Sequence, residues 1–138
     1  VVERRIAATP AVVYAYLTDS SRWARWQGAS AEIGARPGGL FRMTMATGQT
    51  ARGEFIELVP DQRVVFTWGW IDAPGVPPGS TVVEIDLIAE ADGTLLRLTH
   101  RDLATDEMDS HRAGWLHYLS RLRTVAEGGD PGPDPGPS

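Results

Sequence analysis

The chain contains no cysteine and no lysine. Without thiols there is no disulfide, thiolate nucleophile, iron–sulfur cluster or cysteine zinc site, a composition that suits a reducing compartment. All 13 basic residues are arginine, so a lysine Schiff base is excluded as well. Positive charge is also in short supply: 18 acids leave a formal net charge of −5, and neither nucleic acid nor an anionic membrane gains from such a field. No apolar run approaches the ~18 residues of a membrane span, and no signal-peptide pattern opens the sequence, so the expected compartment is the cytoplasm. There is no G-x-S-x-G nucleophile elbow, no Gly-rich phosphate loop and no basic patch interleaved with aromatics. Gly38-Gly39, after Arg36-Pro37, reads as a turn that launches a strand. Nothing in the pattern asks for a cofactor.

What is present reads as one α+β domain over residues 1–129, followed by a flexible Pro/Gly-rich tail over 130–138 (DPGPDPGPS). Residues 1–8 read as a strand. Thr9-Pro10 is a helix start, with Thr at the N-cap and Pro where its missing N–H costs nothing, and Val13 and Leu17 supply a buried stripe. Asp19-Ser20-Ser21 caps a second short helix that carries Trp23 and Trp26 on one face and ends at Gly28. Strands are then expected over 31–35, 40–46, 51–59, 63–71, 81–90 and 94–103. Phe41, Met43 and Met45 share one face, Phe66, Trp68 and Trp70 another, and a bulge is expected near Gly53. Residues 72–80, with three prolines, form a long loop. Asp92-Gly93 between two alternating runs is a hairpin signal. From Thr105, expected as the cap, Met108, His111, Trp115, Tyr118, Leu119, Leu122 and Ala126 recur at helical spacing until Gly128-Gly129. Such a helix is roughly 30 Å long, enough to cross the whole sheet and cover its apolar face.

The segment 93–123 resembles the C-terminal signature of the SRPBCC, or START-like (Bet v 1-like), proteins of the heat-shock-protein-90 ATPase activator homologue group. Its marks are Leu98-Thr99-His100, Gly114-Trp115, Leu119 and Arg121-Leu122. Thr9-Pro10, Trp23 with Trp26, Arg36-Pro37-Gly38-Gly39, Gly53-Glu54 and Phe66-Thr67-Trp68 match upstream in the same order. The resemblance, strongest to bacterial members, implies a helix-grip fold: a curved antiparallel sheet around a long C-terminal helix. That fold hosts cyclases, lipid and hormone carriers and co-chaperone modules alike.

Three readings of the function follow. In the first, a small hydrophobic or aromatic ligand, lipid or polyketide-like, binds between sheet and final helix. Its lining would be Trp23, Trp26, Phe41, Met43, Met45, Phe66, Trp68 and Trp70 with Leu98, His100, His111, Trp115, Tyr118 and Leu119. The alternative is a fully packed core without a cavity. In the second, the same cavity is a cofactor-free cyclase or dehydratase, with His100 as acid/base and Glu54 or Tyr118 as partner. Against this, His100 also reads as a structural histidine braced by Asp102 or a backbone carbonyl, and both faces of the strand bearing Glu54 are mixed. Glu84 and Asp86 share a solvated face. The third reading, implied by the resemblance alone, is a chaperone-interaction module. His100 with His111 falls short of a metal site, because the acids Glu107 and Asp109 are already explained by the helix dipole.

Overall fold

A computed structural model describes residues 1–28, 30–45, 47–71 and 75–132. Ala46 at the end of an expected strand, residues 72–74 of the expected loop and residues 133–138 of the tail lie outside them.

Strand β1 (Val2–Ile6) leads into helix α1 (Pro10–Thr18) and the short α2 (Ser20–Trp23). Thr9 caps α1 by accepting from Val12 N, and Asp19 caps α2 by accepting from Arg22 N. Strands β2 (Ser30–Ile33), β3 (Leu40–Thr44), β4 (Thr50–Val59), β5 (Arg63–Trp68), β6 (Thr81–Glu90) and β7 (Gly93–Arg101) follow, then helix α3 (Thr105–Ala126). The strands form one antiparallel seven-stranded sheet in the order β1-β7-β6-β5-β4-β3-β2. Curled around α3, it is a helix-grip fold. Among the described residues no helix is long and apolar enough to cross a membrane.

Alternation along the central strands fills the concave face. Phe41 and Met43, Val64, Phe66 and Trp68, Val83 and Ile85, and Leu96 and Leu98 are all buried, and α3 answers with Trp115, Tyr118, Leu119, Leu122 and Val125. The first strand reaches the same core at the sheet edge, where Val2 stands opposite Leu98.

Five expectations need correction. Helix α2 ends at Trp23, capped at Ala24, so Trp26 lies in the turn that follows and not on the helix. Strand β5 stops at Trp68 rather than residue 71; past Gly69, where a Cβ would overlap the Pro77 carbonyl, the chain keeps only single bonds to β4, from Arg52 N to the Gly69 carbonyl and from Ile71 N to the Thr50 carbonyl. Trp70 then forms an isolated bridge to Ala51 and ends half-buried. The bulge in β4 lies between Phe55 and Glu57, turning Ile56 outward, and not at Gly53. Gly53 serves another need: a Cβ there would overlap the Thr67 carbonyl of the neighbouring strand. The cap of α3 is Ala104, without a side-chain bond, and Thr105 is the first helical residue, so the negative first turn of Asp106 and Glu107 is the favourable feature there. Met108 is 54% exposed and not part of the buried stripe.

Of the tail, Asp130–Gly132 is described. Arg121 on α3 donates from Nε to the Trp26 carbonyl at 3.2 Å and from its terminal nitrogens to the carbonyls of Pro131 and Gly132.

Candidate functional site

The aromatic residues divide into two groups with different environments. Trp23, Trp26, Phe41 and Phe66 are fully buried and packed on one another, with Phe41 stacked on Phe66 at 4.4 Å between centroids and Trp23 tilted on Trp26 at 4.7 Å. The polar ends of both tryptophans are tied locally: Trp23 Nε1 donates to Gln27 Oε1 and Trp26 Nε1 to the Tyr16 carbonyl, each at 3.1 Å. Met43 and Leu119 are fully buried in the same core. Met45 is half-buried and accepts from the Tyr118 hydroxyl at 3.5 Å. These side chains, expected to line a cavity, fill the centre of the domain.

The second group surrounds Trp68 near the start of α3. Trp68 packs on Trp115 at 5.2 Å, on Trp70 at 5.3 Å and edge-on to His100 at 5.9 Å. The rings of His100 and His111 meet edge to face at 5.3 Å. A cavity of about 180 Å³ opens beside them, between the β1–β7 edge of the sheet and the first half of α3. Leu98, His100, His111 and Trp115 line it. Val1, Val2, Leu103, Met108, Asp109 and Arg112 complete the wall and were not legible as site residues. Val2 reaches the site through the pairing of β1 with β7, which no local pattern encodes.

The hydrogen bonds in this group have a forced direction. An indole N–H only donates. Trp115 Nε1 donates to His100 Nδ1 at 3.0 Å, so the proton of neutral His100 sits on Nε2 and is given to Thr81 Oγ1 at 2.8 Å. Thr81 in turn donates to the Trp68 carbonyl at 2.7 Å. On the helix, Trp70 Nε1 donates to His111 Nε2 at 3.2 Å, and His111 Nδ1 gives its proton to the Glu107 carbonyl at 2.9 Å. Burial, and secondarily the neighbouring His111, push the His100 pKa down to about 3. His100 is therefore neutral at physiological pH with both nitrogens engaged. Its braces are Thr81 and Trp115; the expected partner Asp102 is exposed and lies in the left-handed region at φ 69°. The Trp68 indole N–H is buried with no partner among the described residues.

Glu54 is not brought to this group. It is exposed on the outward side of β4, its backbone N–H bonded to Thr67 Oγ1, so it does not face His100. Glu84 and Asp86 lie on the outer face as expected, both paired with Arg63. Among the described residues no group of three His, Cys, Asp or Glu is arranged to hold a metal. A larger open groove of about 510 Å³ at the far end of β1 is walled by Arg5, Glu90, Asp92, Arg123 and Glu127, and the Arg5–Glu90 and Arg123–Glu127 pairs partly neutralise it.

Residues 7–127 match the family described as Activator of Hsp90 ATPase homolog 1-like protein. Among solved structures, the chain is similar to an AHSA1-like protein from Rhizobium etli, at 48% identity and a TM-score of 0.77, over 97% of this chain and 84% of the other. It is also similar to DynU16, a protein in the dynemicin biosynthetic locus, at 26% identity and a TM-score of 0.81, over 94% of this chain but only 47% of the other. CalU16 from Micromonospora echinospora shares 27% identity at a TM-score of 0.75, over 91% and 74% of the two chains. Comparison with the curated proteins returns no match.

Proposed function

The chain belongs to the Activator of Hsp90 ATPase homolog 1-like family, and from that membership we propose that it binds a small hydrophobic or aromatic molecule between the sheet and α3. The observation that carries this reading is the cavity of about 180 Å³ walled by Val2, Leu98, Leu103 and Trp115, with both adjoining histidines saturated by hydrogen bonds. Apolar walls with a few fixed polar groups are what a small-molecule pocket requires. The likeness to DynU16, whose locus is biosynthetic, supports a small molecule over a macromolecule.

A cyclase or dehydratase reading needs His100 to exchange a proton during the reaction, and a ring engaged at both nitrogens with a pKa near 3 is unsuited to that. Turnover of a bound compound that is lost in His100→Ala, with the fold intact, would restore it. The protein-partner reading rests on the family's name alone.

The test is a two-dimensional amide NMR titration of the full chain with single-ring aromatics, branched hydrocarbons, fatty acids and larger polycyclic compounds. Saturable shifts at Leu98, His100, His111 and the Trp115 indole are expected. No saturable shift from any class would remove the small-molecule reading and move a protein partner to first place.

A further inference from the structure

The ring nitrogens in the cavity wall are already in use, and this restricts what can enter. Trp115 spends its only N–H on His100 Nδ1, and Nε2 of that ring is committed to Thr81. His111 repeats the arrangement with the opposite tautomer: Nε2 accepts from Trp70, and Nδ1 donates to the Glu107 carbonyl. Two tryptophans thus occupy the acceptor nitrogens of the two wall histidines. Apart from these rings and the two charged side chains, the lining residues are Val1, Val2, Leu98, Leu103 and Met108, all apolar. The charged side chains among the cavity's described lining residues, Asp109 and Arg112, are exposed. Among the described residues no hydrogen bond or ion pair engages either side chain, leaving both available to a polar head group.

Size adds a second restriction. An enclosed apolar cavity of about 150 Å³ accommodates one benzene ring, so about 180 Å³ matches a single ring with one or two small substituents, and the rest of a larger ligand stays outside the open mouth. From the two restrictions together we infer that the site takes an apolar group of single-ring size without polar substituents. An aryl ring or short branched hydrocarbon enters first, and any polar head stays at the rim beside Asp109 and Arg112. Trp70 and Trp115 set this selectivity by occupying the histidine acceptors, and Trp70 does so from outside the cavity wall. A ring hydroxyl pushed inward would give up its hydrogen bond to water and find no free acceptor. The inference rests on the cavity-binding reading and adds the chemical class of the ligand and the residues that choose it.

The experiment compares p-xylene with hydroquinone, para-disubstituted rings of similar size in which two methyls are replaced by two hydroxyls, so that no orientation keeps both hydroxyls at the rim. Both are titrated against the full chain, with shifts read at Leu98 and the methyl of Met108. p-Xylene is expected to bind at least tenfold more tightly. In Trp115→Phe and in Trp70→Phe, each of which releases one histidine acceptor, the preference is expected to narrow severalfold through a gain for hydroquinone. Binding of hydroquinone to the wild type as tightly as p-xylene would overturn the selectivity while leaving the cavity reading standing. An unchanged preference in both folded variants would overturn the role of the tryptophans. Failure of every probe class at these residues would remove the cavity reading itself. Trp70 is half-buried, so its variant stays informative if Trp115→Phe folds poorly.

Discussion

The indole of Trp115 on α3 and the imidazole of His100 at the end of β7 are joined by a hydrogen bond of 3.0 Å from Nε1 to Nδ1. The bond ties the long helix to the sheet and fixes the proton of His100 on Nε2. It also makes His100 costly to protonate, because a second ring proton on Nδ1 would face the indole N–H.

Stability should therefore fall in mild acid through His100. Its folded pKa is near 3, below the ordinary 6.5, so the unfolded chain binds a proton across the interval between them while the folded chain does not. This contribution is complete above about pH 6.5 and is lost, at a limiting slope of about 1.4 kcal/mol per pH unit, as pH falls towards 3. Urea unfolding at pH 7 and pH 5, for wild type and His100→Asn, isolates it. The wild type should lose about 2 kcal/mol more than the variant, and equal losses would show that His100 is accessible to protons in the folded protein.

Trp115→Ala should be severe, on the order of 3–5 kcal/mol. The side chain is 4% exposed, packs on Trp68 at 5.2 Å and leaves His100 without its donor when removed. Denaturant unfolding measures the loss directly, and a value under about 1 kcal/mol would contradict the packing.

The parts of this arrangement that are written locally are legible from the residues. Thr9 and Asp19 announce their helices by capping, Asp92-Gly93 announces the β6–β7 hairpin, and the α3 stripe of Trp115, Leu119 and Leu122 follows helical periodicity. The family resemblance supplied the curvature. What stayed hidden depends on distant backbone. Trp70 lies beyond the end of β5 on an isolated bridge to Ala51, and its pairing with His111 joins residues 41 apart in sequence, which no local pattern encodes. The placing of Val2 opposite Leu98 comes from sheet register across nearly the whole chain. Whether Trp23, Trp26, Phe41 and Phe66 enclose a space or fill it is a matter of ring orientation, on which periodicity is silent.

On the outer face, Arg63 holds Glu57, Glu84 and Asp86 together, the last two at 2.6 and 2.7 Å, and Arg101 also pairs with Glu84. The Arg63 side chain is 31% exposed and that of Glu84 only 16%, so this network is less screened than an isolated surface pair. Arg63→Met leaves neighbouring carboxylates repelling one another and should cost about 2 kcal/mol at pH 7. The deficit should shrink in a Glu84→Gln background, since neutralising one carboxylate removes part of the repulsion. A deficit of the same size in that background would show that Arg63 acts through packing of its stem instead.

Gly53 offers a test of the sheet itself. It lies opposite Phe41 in the β3–β4 ladder, and on the other side the Thr67 carbonyl occupies the place a Cβ would need. The obstruction is backbone, so no side-chain rotation relieves it. The Thr67 hydroxyl also bonds the N–H of the next residue, Glu54, which fixes the two strands at this spacing. Gly53→Ala should therefore separate β4 from β5 locally and cost about 2–3 kcal/mol, with amide exchange accelerated at Glu54 and at Arg52, whose N–H bonds the Gly69 carbonyl. Because Gly69 leads directly to Trp70, the same substitution should also disturb the Trp70–His111 bond, visible as a shift of the Trp70 indole resonance. Unfolding within about 0.5 kcal/mol of the wild type, with that indole resonance unmoved, would mean that the strands can part at Gly53 without cost.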